Sequence, residues 1–161
     1  MKTTLLPVLV LSAALAACGG GEPEETQAPA AGVTPEPAAA NAPARTQSAA
    51  DARVFFISPQ DGDTLSNPIR VVFGIEGMSV APAGTDAPHS GHHHLLIDTG
   101  LPDLGLPIPA DAHHVHFGDG RAETEITLEP GEHTLQMLLG DHTHIPHDPP
   151  LYSDVISVSV E

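Results

Sequence analysis

The chain has 161 residues, enough for one ordinary domain, with 21 acidic against 5 basic residues and a formal charge of −16. Its one lysine, Lys2, and few arginines leave it without the cations that contact phosphates, which argues against nucleic acid as a partner; an acidic surface draws cations instead. The single cysteine, Cys18, excludes an intrachain disulfide, so the fold must stand on an apolar core or on a core plus metal.

Lys2 is followed by an apolar run from Leu5 to Ala17, interrupted only by Pro7 and Ser12. Such a run is short of the roughly 20 residues that span a bilayer and fits the core of a secretory signal. Its end, Leu15-Ala16-Ala17-Cys18, resembles the bacterial lipoprotein signal, which is cleaved before the cysteine and lipidated on its sulfur. The resemblance implies a signal peptide over residues 1–17, lipidation of Cys18 and a membrane partner reached through that anchor. With Gly19 rather than Asp after the cysteine, it implies a periplasm-facing lipoprotein of the outer rather than the inner membrane. The plainer alternative is a secreted protein with a chance thiol. Residues 18–51, including "GEPEETQAPAAGVTPEPAAANAPARTQSAA", contain one Val and no Leu, Ile or aromatic residue. They cannot bury enough apolar area to offset ordering entropy and are expected to form a disordered tether.

The texture changes at residue 52. "RVFFISP" is an apolar run stopped by proline, "QDGDTLSNP" is turn chemistry, and "IRVVFGIEG" is a second strand rich in β-branched residues. A loop, "VAPAGTDAPHSG", leads to the strand "HHHLLID", and a proline-broken connection, "TGLPDLGLPIPADA", leads to the short strand "HHVHFGDG". "ETEITLEPG" alternates and ends in a turn, "EHTLQMLLGD" is a further strand, and "HTHIPHDPPLY" is a loop. "SDVISVSVE" places Ile156, Val158 and Val160 on one face. About seven short strands without a 3.6-residue period predict an all-β fold over residues 52–161, an immunoglobulin-like antiparallel β-sandwich. The opening "FFISPQDGDTLSNPIRVVFGIEG" is similar to bacterial immunoglobulin-like domains, although the Cys and Trp core of antibody domains is absent.

All eleven histidines lie between His89 and His147. Side chains alternate along a strand, so His93, Leu95 and Ile97 share one face and His92, His94, Leu96 and Asp98 the other. Likewise His113 heads the face of Val115 and Phe117, with His114 and His116 opposite, and His133 heads the face of Leu135, Met137 and Leu139. A third His-x-His, His142 and His144, follows in a loop beside Asp141, His147 and Asp148. Each pair sets two imidazoles roughly 7 Å apart at Cα, within reach of one metal, and two pairs complete a nitrogen-rich site for Cu or Zn. The candidate ligands are therefore His92, His94, His114, His116, His142 and His144. Asp98 and Asp141 could ligate or orient the rings. Neutral imidazole is the ligand, so affinity is expected to fall below about pH 6. The plain alternative is that His93, His113 and His133 are buried, neutral and hydrogen-bonded, and that the outer pairs form a solvated polar face.

His92-x-His94-x3-Asp98 with Pro130-Gly131-x-His133 loosely resembles the two metal motifs of cupins, with Asp for Glu and one spacing short by a residue. That resemblance implies a metalloenzyme. No nucleophile motif or phosphate-binding loop accompanies it, so binding rather than catalysis is the expectation. The stretches GHHHLLID (91–98), the proline-rich 102–110, His-x-His-Phe-Gly (114–118) and HTLQMLLGDHTHIPHDPP (133–150) resemble an uncharacterised bacterial envelope family, domain of unknown function 4399. The resemblance implies a small all-β envelope domain and brings no established activity. The sequence thus supports a lipid-anchored binding domain for a Cu or Zn ion, with a non-metal module for an envelope protein as the second reading.

Overall fold

The computed structural model describes residues 44–161. The expected signal peptide, Cys18 and the tether up to residue 43 lie outside the described residues. Nine strands follow in chain order: β1 Arg53–Ser58, β2 Thr64–Leu65, β3 Ile69–Glu76, β4 Ser79–Val80, β5 Ser90–Ile97, β6 His114–His116, β7 Glu123–Ile126, β8 Gly131–Gly140 and β9 Ile156–Val160. Seven correspond to the runs read from the sequence. β2 and β4 are two-residue pieces inside stretches read as turn and loop.

The strands form two sheets packed face to face, an all-β sandwich that is antiparallel as expected except where the short β2 joins β9 and β4 joins β5 in parallel. One sheet has the order β1-β3-β7; the other runs β2-β9-β8-β5-β4, with β6 also paired to β5. The antiparallel β5/β8 ladder, from His92↔Gly140 to Ile97↔Leu135, is the spine of the larger sheet. Period-two alternation delivers the core between the sheets. Val54 and Phe56 of β1 and Ile69, Val71 and Phe73 of β3 meet Leu95 and Ile97 of β5, Leu135, Met137 and Leu139 of β8, and Ile156, Val158 and Val160 of β9. Burying each such side chain contributes about 1.5–3 kcal/mol. All four arginines pair with acids: Arg45 with Asp148, Arg53 with Glu76, Arg70 with Glu123 and Arg121 with Asp119.

Two features depart from expectation and shape the site. First, every residue of β5 is buried, not just its core face. The proline-broken connection folds over the outer face, where Ile108 packs with Leu96 and Leu138, and Leu101 and Leu104 close around them. What alternation marked as a solvent face is a second, smaller core. Second, residues 44–51, assigned to the tether on composition, hold regular contacts with the loop after β8. Gln47 bridges to Asp148, the Ser48 amide donates to Asp148 O at 3.2 Å, and the Asp148 amide donates to Thr46 O at 2.9 Å. Polar and backbone bonds order this stretch, which an apolar count does not register.

Candidate metal centre

β5 supplies the floor of the site. His92 and His94 point to the outer face, under the proline-rich connection, at 0 and 1 % exposure. The antiparallel register sets His94 opposite His116 of β6, and the loop after β8 returns His144 to the same place. The four rings form a compact cluster: His92 lies 4.9 Å from each of His94, His116 and His144 between ring centroids, His94 lies 5.0 Å from His116, and His116 lies 4.7 Å from His144. The His94–His144 separation, 6.0 Å, is the longest. His92 Nε2 and His94 Nε2 are 3.1 Å apart, and ligand atoms of His92, His94 and His116 all lie within 4.8 Å of one another. Metal–nitrogen bonds of 2.0–2.1 Å at tetrahedral angles separate neighbouring nitrogens by about 3.3 Å, so these three rings need to close by about 1.5 Å at most to seat one ion, while His144 stands beside them as a ring neighbour outside that set of converging ligand atoms. His116 is exposed and His144 half-buried, which leaves a mouth to solvent above a buried floor.

Of the six candidate ligands, His92, His94, His116 and His144 come together and His114 and His142 do not. Pairing in the β5/β6 register sets His114 opposite Leu96, away from His92, and its Nδ1 bonds Asp111 Oδ1 at 2.9 Å. His142 and His144 lie in a loop, where period two does not hold. His142 turns to Asp86, with Nδ1 3.9 Å from its carboxylate, and His144 alone reaches the cluster. The cupin-like set is also dispersed: Asp98 accepts from His133 Nδ1 at 2.7 Å and from the Thr134 amide at 2.8 Å. That pair sits four residues past His94, about 13 Å along the strand direction, and the other His133 nitrogen bonds Glu129 O at 2.8 Å.

The cluster's electrostatics favour free lone pairs. Burial, then the neighbouring His116 and His144, pushes His92 down to about 4. Burial, then His92, His116 and His144, pushes His94 down to about 2. Desolvation and His144 lower His116 as well. Protons therefore compete for the two floor nitrogens only well below the expected pH 6. Nδ1 of both His92 and His94 is buried without a hydrogen-bond partner. His93, on the opposite face, is also fully buried but not hydrogen-bonded as expected. Neither ring nitrogen has a partner, the ring lies 4.8 Å from Phe73, and burial alone lowers it to about 4. His113 does bond, through Nδ1 to Ile97 O at 2.8 Å, but is exposed rather than buried.

Three glycines that the sequence reading passed over make room for these rings. A Cβ on Gly118 would lie 2.6 Å from His116 Nε2, one on Gly140 3.0 Å from His94 Nε2, and one on Gly91 2.8 Å from His147 Nε2. Each glycine flanks a histidine-bearing segment, in GHHH, HFG and LLGDH, which was the available signal. Gly118 lies in the turn just past β6, where any side chain would meet the His116 ring.

A family model described as a domain of unknown function, DUF4399, matches residues 71–161. The chain belongs to this family. The matched stretch of the DUF4399 domain contains all four clustered histidines and the three glycines, and begins after β1. No curated protein matches the chain. Among solved structures it is similar to the fibronectin(III)-like modules of Clostridium thermocellum CbhA, at 13 % identity and a TM-score of 0.37, over 68 % of this chain and 45 % of that one.

Proposed function

We propose that this DUF4399 domain binds a divalent transition ion, Zn2+ or Cu2+, through His92, His94, His116 and His144. The observation that carries the reading is the convergence of four imidazoles from three separate segments, with buried floor nitrogens held neutral and 3.1 Å apart. One floor ring donates its Nε2 proton to the other across that 3.1 Å, and both Nδ1 atoms are buried without a partner, so the metal-free cluster leaves polar atoms that an ion would draw on once that proton is released. The cluster holds nitrogen donors only, without thiolate or thioether, which suits Zn2+ and Cu2+ over Cu+. The open mouth at His116 supports exchange, and hence buffering or delivery, over a sealed structural ion. With the lipoprotein-like start of the chain, the domain would act on the periplasmic side of the outer membrane as an anchored metal carrier.

Elemental analysis of the purified protein, with thermal melts with and without Zn2+ or Cu2+, tests this. An ion at 100 times its Kd adds about 2.7 kcal/mol, a rise of about 10 °C for a domain of this size. No retained metal and no shift would overturn the proposal, as would a shift that survives joint His92→Ala and His94→Ala. In that event the histidines serve packing alone, and a protein partner in the envelope becomes the reading to pursue.

A further inference from the structure

We infer that Thr46 is a positioning residue of the histidine cluster, fixing the loop that carries His144 so that the segment before β1 sets metal affinity; this rests on the proposed function. The two observations behind it are the hydrogen-bond network of Asp141 and the way each histidine is held.

Asp141 is 1 % exposed, and its carboxylate organises the whole turn. Oδ1 accepts from the Thr143 amide at 2.8 Å, the Thr143 hydroxyl at 2.7 Å and the Ile145 amide at 3.0 Å. Oδ2 accepts from the Thr46 hydroxyl at 3.1 Å. A carboxylate only accepts, so Thr46 spends its proton there and takes one from His147 Nδ1, 2.8 Å away. His144 sits inside this bracket at φ 68°, its amide bonded to Asp141 O and its carbonyl accepting from the Ile108 amide. A non-glycine residue in the left-handed region persists where its surroundings impose it. Thr46 is itself gripped: Arg45 donates to Pro146 O and His147 O, and the Ser48 hydroxyl donates to Pro149 O at 3.0 Å.

The other three ligands need none of this. His92, His94 and His116 stand on strands fixed by the β5/β8 and β5/β6 ladders. Only His144 depends on the loop, and the loop depends on a carboxylate whose second oxygen is held from a segment that precedes the family match. Removing the Thr46 hydroxyl should therefore subtract one imidazole and leave three.

The test uses the full chain as Thr46→Ala, Thr46→Ser, His144→Ala and the Thr46→Ala/His144→Ala double variant. Zn2+ affinity is read by competition with a chromophoric chelator, and nitrogen coordination from the hyperfine pattern of bound Cu2+. Losing a group bonded directly to a ligand typically weakens binding 10–100-fold; Thr46 acts one bond further out, through Asp141, which points to the low end of that range. We expect Thr46→Ala to weaken Zn2+ at least tenfold and reduce the coordinated imidazoles from four to three. Thr46→Ser should stay within twofold of wild type, and the double variant should bind no more weakly than His144→Ala. Wild-type affinity in Thr46→Ala, or losses that multiply in the double variant, would overturn the inference. If the wild-type chain takes up no Zn2+, the proposed function fails instead. The positioning role is then read from amide exchange in the metal-free protein, where Thr46→Ala should speed exchange at Thr143 and Ile145 and leave β5 unchanged. Unaltered exchange there would refute it.

Discussion

His93 gives the sharpest quantitative test of the sandwich. It is fully buried against Phe73, with both ring nitrogens unpartnered, and burial alone lowers it from 6.5 to about 4. A folded value below the unfolded one means that the unfolded chain binds the extra proton between those limits. His93 is then harmless above pH 6.5 and costs stability progressively as pH falls from 6.5 towards 4. Each unit of difference is worth 1.36 kcal/mol, so at pH 5 the loss is about 2 kcal/mol. His93→Leu removes this proton-linked cost in a substitution of similar volume. It also removes two unsatisfied buried nitrogens, each worth about 1–3 kcal/mol to leave unpaired, against the lost stacking on Phe73. The assay is urea unfolding of both proteins at pH 7.5 and pH 5.0 with a chelator present. His92 and His94 titrate in both proteins and nearly cancel, because His93 is the smallest of the causes that lower them. The variant's advantage over wild type should grow by about 2 kcal/mol on acidification; an advantage that is the same at both pH values would refute the reasoning.

Two further predictions concern the glycine cradle and the far end of β5. Gly118→Ala places a Cβ 2.6 Å from His116 Nε2; it should displace that ring and weaken Zn2+ uptake while moving the metal-free melting temperature little. A metal-free melt depressed as strongly as metal uptake would mean that Gly118 serves the fold rather than the site. Asp98→Asn removes the carboxylate that, first among its partners, raises His133. A raised folded value stabilises below pH 6.5 and is lost as pH climbs through it, so the variant should be destabilised more at pH 5.5 than at pH 8. Equal destabilisation at both, measured by urea melts, would count against a charged pair.

Much of this architecture is local and was therefore written in the chain. Alternation in "SDVISVSVE" and "IRVVFGIEG" specifies which face of β9 and β3 enters the core, because a strand has no other way to segregate its side chains. The same alternation put His92 and His94 on one face of β5 and His116 on the matching face of β6. What alternation cannot specify is register between strands or the path of a loop. It ranked His114 and His142 equally with His116 and His144. Only the β5/β6 pairing moved His114 beside Leu96, and only the path of the loop after β8 brings His144 to the cluster while His142 faces Asp86. The burial of His92 and His94 was likewise decided in three dimensions, by a proline-rich connection laying Ile108 over their strand. Thr46 is the extreme case, a residue in a stretch without apolar pattern that is ordered only because Asp141 and His147, distant in sequence, offer its hydroxyl partners. Side-chain direction follows from neighbours along one strand, whereas convergence of four rings depends on contacts between segments far apart in the chain.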